Sequence, residues 1–116
     1  MNKVRLLAVG DIFLKTKNNQ GPFEKVSLML KEKDILFGNL ETSLSIDESH
    51  AEKAVSLVSN PRCIKYLKEA GFDVVNIANN HILDGGEKGF FNTIRLLKEN
   101  KISHVGGKPI EEPEKF

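Results

Sequence analysis

Apolar and polar positions along this chain fall into short blocks whose period switches between strand-like and helix-like. Val4 to Val9 is a brief apolar run closed by Gly10-Asp11, and it reads as a buried strand with a polar tip. Lys15 to Gly21 is polar and reads as a loop. Pro22 suits a first helical turn, and Phe23, Val26, Leu28, Met29 and Leu30 give an apolar face to a helix reaching about Lys33. Asp34 to Gly38 reads as a second strand, running into Asn39-Leu40-Glu41-Thr42. Thr42 to Glu52 is polar and fits neither period, and Ala54 to Val58 is read as a third strand. Asn60-Pro61 starts a helix, with Asn as N-cap and Pro at the first position. Ile64, Leu67 and Ala70 share one face of it, and Gly71 ends it. Phe72 to Ala78 is the next strand, Glu87 to Asn100 an amphipathic helix, and Ile102 to Val105 a last strand before Gly106-Gly107. Pro109 to Phe116 is a charged tail.

Strands alternating with helices predict an α/β fold of βαβ units with a mostly parallel sheet. Right-handed crossovers would then put every strand's C-terminus on one edge. Ligands of open α/β sheets bind just beyond that edge. Asp11, Asn39, Glu41, Asn80 and His81 all follow the predicted strands, so they are expected to meet on one rim.

Composition narrows the function classes. The chain has 116 residues, 40% hydrophobic and 28% charged, which suits one globular domain. A net charge of +1 gives no basic footprint for nucleic acid. No apolar stretch approaches the roughly 20 residues of a membrane span. The N-terminus runs straight into a strand without the apolar region of a signal peptide, so the chain as given is expected to be cytoplasmic. Cys63 is the single cysteine, which excludes an internal disulfide. It is expected to be an inert, partly buried thiol.

The sharpest chemistry lies in Val75-Asn76-Ile77-Ala78-Asn79-Asn80-His81, followed by Asp84. Carboxylates bind hard divalent cations, asparagine adds a neutral oxygen, and histidine ligates or moves protons. Asp11, Glu41 and Asn80 are therefore candidate metal ligands, and His81 a candidate general acid. Plainer roles stand beside these. Asp11 could cap a turn, Asn39 could shape its own turn, and Glu41 could be a solvated charge. Asn79 or Asn80 could hold a left-handed turn, with Asn79 the better candidate. Asp84 either orients His81 or caps the following helix. His50 and His104 have no comparable setting, and Gly85-Gly86 lacks the rest of a phosphate loop.

Three blocks carry a family resemblance. Gly10-Asp11-Ile12-Phe13-Leu14, Gly38-Asn39-Leu40-Glu41-Thr42, and Leu67 through Asp84 together resemble the CapA family of bacterial capsule-synthesis, poly-γ-glutamate-associated proteins. That family looks related to the calcineurin-like metallophosphoesterases. The resemblance covers about Val4 to Gly107. It implies half of a four-layer αββα sandwich and a two-metal site of Mn, Fe or Zn type. It matches Asp11 to the first-strand metal aspartate and Glu41, with Asn39 beside it, to the bridging carboxylate. Asn80 and His81 match a metal ligand and a proton donor, and Asp84 the aspartate that follows them. Asn79 and Asn39 are expected in support. Phe13 stands where many metallophosphoesterases carry a metal histidine, which weakens one metal position. Further metal histidines of that superfamily lie in a second half absent from these residues.

Two functions follow as expectations. One is a metal-dependent hydrolase of phosphoester-like bonds, not expected to work from this chain alone. The other is a non-catalytic binding or assembly subunit of a polymer-handling complex. A half-sandwich would leave an apolar sheet face bare. A homo-oligomer or a complementing C-terminal half is therefore the expected partner.

Overall fold

The computed structural model describes residues 2–15, 21–46 and 55–107. Four strands form one sheet: β1 (Leu6–Ile12), β2 (Ile35–Leu40), β5 (Val74–Asn76) and β6 (Ser103–Val105), in the order β1-β2-β5-β6. Every pairing is parallel, so the strand C-termini share one edge as the alternating pattern requires. Two further short strands, β3 (Ser43–Leu44) and β4 (Val58–Ser59), pair in parallel as a separate ribbon. The helices are α1 (Ser27–Lys31), α2 (Ile64–Ala70) and α3 (Gly86–Glu99).

The core lies between one face of the sheet and the helices. Leu36, Leu40, Val75 and Ile77 of the sheet region meet Leu67 of α2 and Leu97 of α3 there, all fully buried. Gly38 belongs to this face because there is no room for more. A Cβ on it would stand 2.6 Å from Ile12 Cδ1 and 2.9 Å from Val9 Cγ2. The opposite face carries Leu6, Ala8, Ile35, Phe37, Val74 and Val105, and much of it is open: Leu6 is 62% exposed and Val105 50%. A single helical layer thus covers a sheet that is apolar on both sides, which is consistent with half of a metallophosphoesterase-like sandwich.

Several elements depart from the pattern-based expectation. β1 spans Leu6–Ile12, not Val4 to Val9. Its ladder begins at Arg5, whose carbonyl accepts from the N–H groups of Asp34 and Ile35. At its far end a bulge between Ala8 and Asp11 inserts one residue, so Asp11 lies inside the strand. β2 likewise runs on through Asn39 and Leu40. The helix expected over Pro22 to Lys33 is a 3-10 turn (Glu24–Val26) and then only α1. Leu28 and Met29 are 81% and 65% exposed; at about 100° per residue they cannot share a face with buried Leu30.

β5 stops at Asn76, short of Ala78, because the Asn76 side chain accepts the Ala78 N–H at 3.2 Å and turns the chain. The start at Asn60 is as expected, with its side chain accepting from Arg62 N at 2.9 Å. So is the stop at Gly71, which has φ of 83°. The polar stretch from Thr42 holds β3, and the strand expected over Ala54 to Val58 is the two-residue β4. Residues 16–20, 47–54 (with His50 and Ala54) and the tail from 108 lie outside the described residues.

Candidate functional site

The polar ends of β1, β2 and β5 build the rim. Because of the bulge, Asp11 rather than Gly10 pairs with Asn39, and Asn39 pairs in turn with Asn76. One extra residue in β1 therefore swings Asp11 into a row with two asparagines, a use of bulges common beside active sites. The row is bonded throughout. Asn76 Nδ2 donates to Asn39 Oδ1 at 2.9 Å, and Asn39 Nδ2 donates to Asp11 Oδ1 at 2.7 Å.

The loop after β5 joins this row to a histidine. Asn79 Nδ2 donates to Asn39 Oδ1 at 3.1 Å and to the Leu40 carbonyl at 2.8 Å. Its Oδ1 accepts from His81 N at 3.1 Å. Neither Asn79 nor Asn80 has positive φ; Lys101 is the non-glycine residue that does, at 57°. Asn79 thus shapes the loop through its side chain, and the expectation of a left-handed turn there is corrected. The loop is braced by Gly106, where a Cβ would fall 2.4 Å from that of Ala78.

His81 is held from behind. Its Nδ1 lies 2.6 Å from Oδ2 of Asp84, which is fully buried and also accepts the Leu57 N–H at 2.7 Å. An ionised carboxylate only accepts, so an ionised Asp84 holds the proton on Nδ1 and leaves Nε2 toward the rim. Glu41 Oε1 lies 3.9 Å from that Nε2. Of the two placements open for Asp84, the structure has the bond to His81; the N-cap of α3 is Gly85, with no side-chain cap.

The rim therefore joins Asp11 to Asn39, Asn76 and Asn79, and Glu41 to His81 and Asp84. Glu41 follows β2 directly, with its N–H on the Ile12 carbonyl at 2.9 Å, whereas Asn80 and His81 lie four and five residues past the end of β5. Asn80 is exposed on the loop between Asn79 and His81. Among the described residues, no group of three or more His, Cys, Asp or Glu side chains is set to hold a metal by itself. The donor chemistry nonetheless suits a hard cation: two carboxylates on neighbouring strand ends, an exposed amide, and an imidazole whose far nitrogen is fixed by a carboxylate.

Asn76 was not singled out in the sequence as a site residue. Its sign was there, since it is an amide that interrupts the apolar run between Val75 and Ile77. Thr42, Ser43 and Ser59 were also missed, and all are buried. Thr42 Oγ1 and Ser59 Oγ share a hydrogen bond at 2.8 Å, and Thr93 Oγ1 accepts the Leu44 N–H at 2.8 Å. The first bond holds the chain before β3 to β4, and the second ties β3 to α3. Cys63 has its thiol pushed up by burial, only partly countered by the charges of Lys65 and Arg62, so it stays protonated near neutral pH.

A sequence profile described as "Bacterial capsule synthesis protein PGA_cap" matches residues 5–116. The chain belongs to this capsule synthesis protein family. The PGA_cap match includes every rim residue described above. Among similar proteins, the capsule biosynthesis protein CapA of Bacillus anthracis is 35% identical over 90% of this chain and 28% of its own length. The PGA biosynthesis protein CapA of Bacillus subtilis (strain 168) is 29% identical over 84% of this chain and 28% of its own length. A protein of Sinorhizobium fredii, y4sH, is 36% identical over 87% of this chain and 24% of its own. The chain thus spans about a quarter of the length of the curated relatives it matches. No helix among the described residues is long and apolar enough to cross a membrane.

Proposed function

We propose that this chain supplies the first part of a metal-dependent hydrolase centre, acting on a phosphoester or similar bond in the making or trimming of a capsule-type polymer. The polymer comes from the relatives' names alone. The observation that carries the chemistry is the Glu41–His81–Asp84 line, which leaves His81 Nε2 on the rim beside a carboxylate. Asp11, Glu41 and Asn80 would hold a divalent ion, which when bound supplies an acidified water as nucleophile. As the imidazolium, with its Nδ1–H held by Asp84, His81 would give the proton on Nε2 to the leaving oxygen.

The test is Mn²⁺-dependent hydrolysis of a model phosphodiester by the protein as encoded, with His81→Ala and Asp11→Ala alongside. Turnover should fall by about a hundredfold or more in His81→Ala. Equal turnover in wild type and both variants would defeat the reading. A second reading, a non-catalytic assembly subunit, draws on the open apolar sheet face around Leu6 and Ile35. It would be favoured by stable association that survives both substitutions in the absence of metal.

A further inference from the structure

We propose that Asn76 is a positioning residue for Asp11. It fixes which end of the Asn39 amide faces the Asp11 carboxylate, and so which carboxylate oxygen is left for a ligand. The inference rests on the metal reading above and adds a residue to it.

Backbone N–H groups orient the Asn76 and Asn79 amides, and these two orient Asn39. Ala78 N–H can only donate, so the Asn76 atom that meets it is Oδ1. Asn76 Nδ2 is then turned onto Asn39. The same logic holds for Asn79, whose Oδ1 takes the His81 N–H while its Nδ2 reaches Asn39. Two donors therefore meet on Asn39 Oδ1 and use both of its lone pairs. Asn39 is left with only its NH₂ to offer Asp11, and it donates to Oδ1 at 2.7 Å.

Three consequences follow. Asn39 has no free oxygen to give a cation, so it orients the site without ligating. Asp11 Oδ1 takes that hydrogen bond, which leaves Oδ2 as the oxygen better placed to meet a ligand. A flip of the Asn39 amide would set donor against donor at Asn76 and Asn79 and acceptor against acceptor at Asp11, and the Ala78 and His81 N–H groups, which fix Asn76 and Asn79, oppose it. The in-row register of Asp11, Asn39 and Asn76 makes the chain of bonds possible, and the β1 bulge creates that register.

The experiment is Mn²⁺ titration by calorimetry on the protein as encoded, in wild type, Asp11→Ala, Asn76→Leu and Asn76→Ser. Thermal melts in EDTA accompany it. Asn76→Leu keeps the branched outline of the side chain without its polar atoms, and Asn76→Ser is the smaller fallback if the leucine variant does not fold. Both should weaken Mn²⁺ binding by about tenfold or more, with the metal-free melting temperature within about 5 °C of wild type. Wild-type affinity in a folded Asn76 variant would overturn the positioning role and leave the metal reading standing. So would a weakening matched by an equal loss of metal-free stability. No Mn²⁺ binding by wild type, or no loss in Asp11→Ala, would overturn both.

Discussion

Asp84 shows how a single buried carboxylate can set the chemistry of a rim it does not reach. It accepts from His81 Nδ1 and Leu57 N through the same oxygen, so Asp84→Asn keeps the shape and loses the charge. Metal-dependent hydrolysis should fall by about 10–100-fold in that variant; unchanged turnover would mean that the His81 tautomer is set elsewhere. Asp73 plays a purely structural part. Burial pushes its carboxyl up, but hydrogen bonds from Lys33 and the Leu36 N–H, with the Lys33 charge, pull it further down, and the net shift is downward. Its contribution is therefore present above the unfolded carboxyl value of about 3.9 and is lost as pH falls through the lower folded value. Urea titrations should show Asp73→Asn less stable than wild type near neutral pH by under about 1 kcal/mol, because solvent screens the pair. The gap should close at acid pH; parallel curves at all pH values would contradict this. At this scale the sequence was readable wherever a polar residue ended an apolar run. It did not reveal that Asn39 is saturated by two amide donors, because that depends on which strands are neighbours.

Elements were legible in proportion to how apolar their buried faces are. β2, α2 and α3 bury Leu, Ile or Phe at the expected period, and with β6, which follows buried Ile102, they stand near where the pattern puts them. β3 and β4 bury Ser43 and Ser59, with Thr42 buried just before them; their polarity mimics a loop, so the ribbon was nearly invisible. Its packing rests on glycine: a Cβ on Gly89 would fall 2.6 Å from Ser43 Oγ. Gly38 is the matching point in the main sheet, beneath Ile12 and Val9. Gly38→Ala should destabilise by about 1–3 kcal/mol through overpacking, read as a lower urea midpoint with unchanged slope. A midpoint equal to wild type would show that the Ile12 side chain moves aside freely.

The molecule as a whole has one sheet face covered by helices and one bare. PGA_cap relatives are several times longer than this chain. The 116-residue chain alone should bind a hydrophobic dye, and Leu6→Lys with Ile35→Lys should reduce that binding; no dye binding by the wild-type chain would mean that the face is already covered. The half-sandwich was legible from the strand–helix alternation and the three motif blocks together. The claim that the rim is a metal centre meets its most direct test in Mn²⁺ calorimetry on the protein as encoded, with Asp11→Ala beside it. Saturable binding near or below micromolar in wild type, weakened by about a hundredfold or more in the variant, is the predicted result. No binding at millimolar Mn²⁺, or equal binding by both proteins, would contradict it.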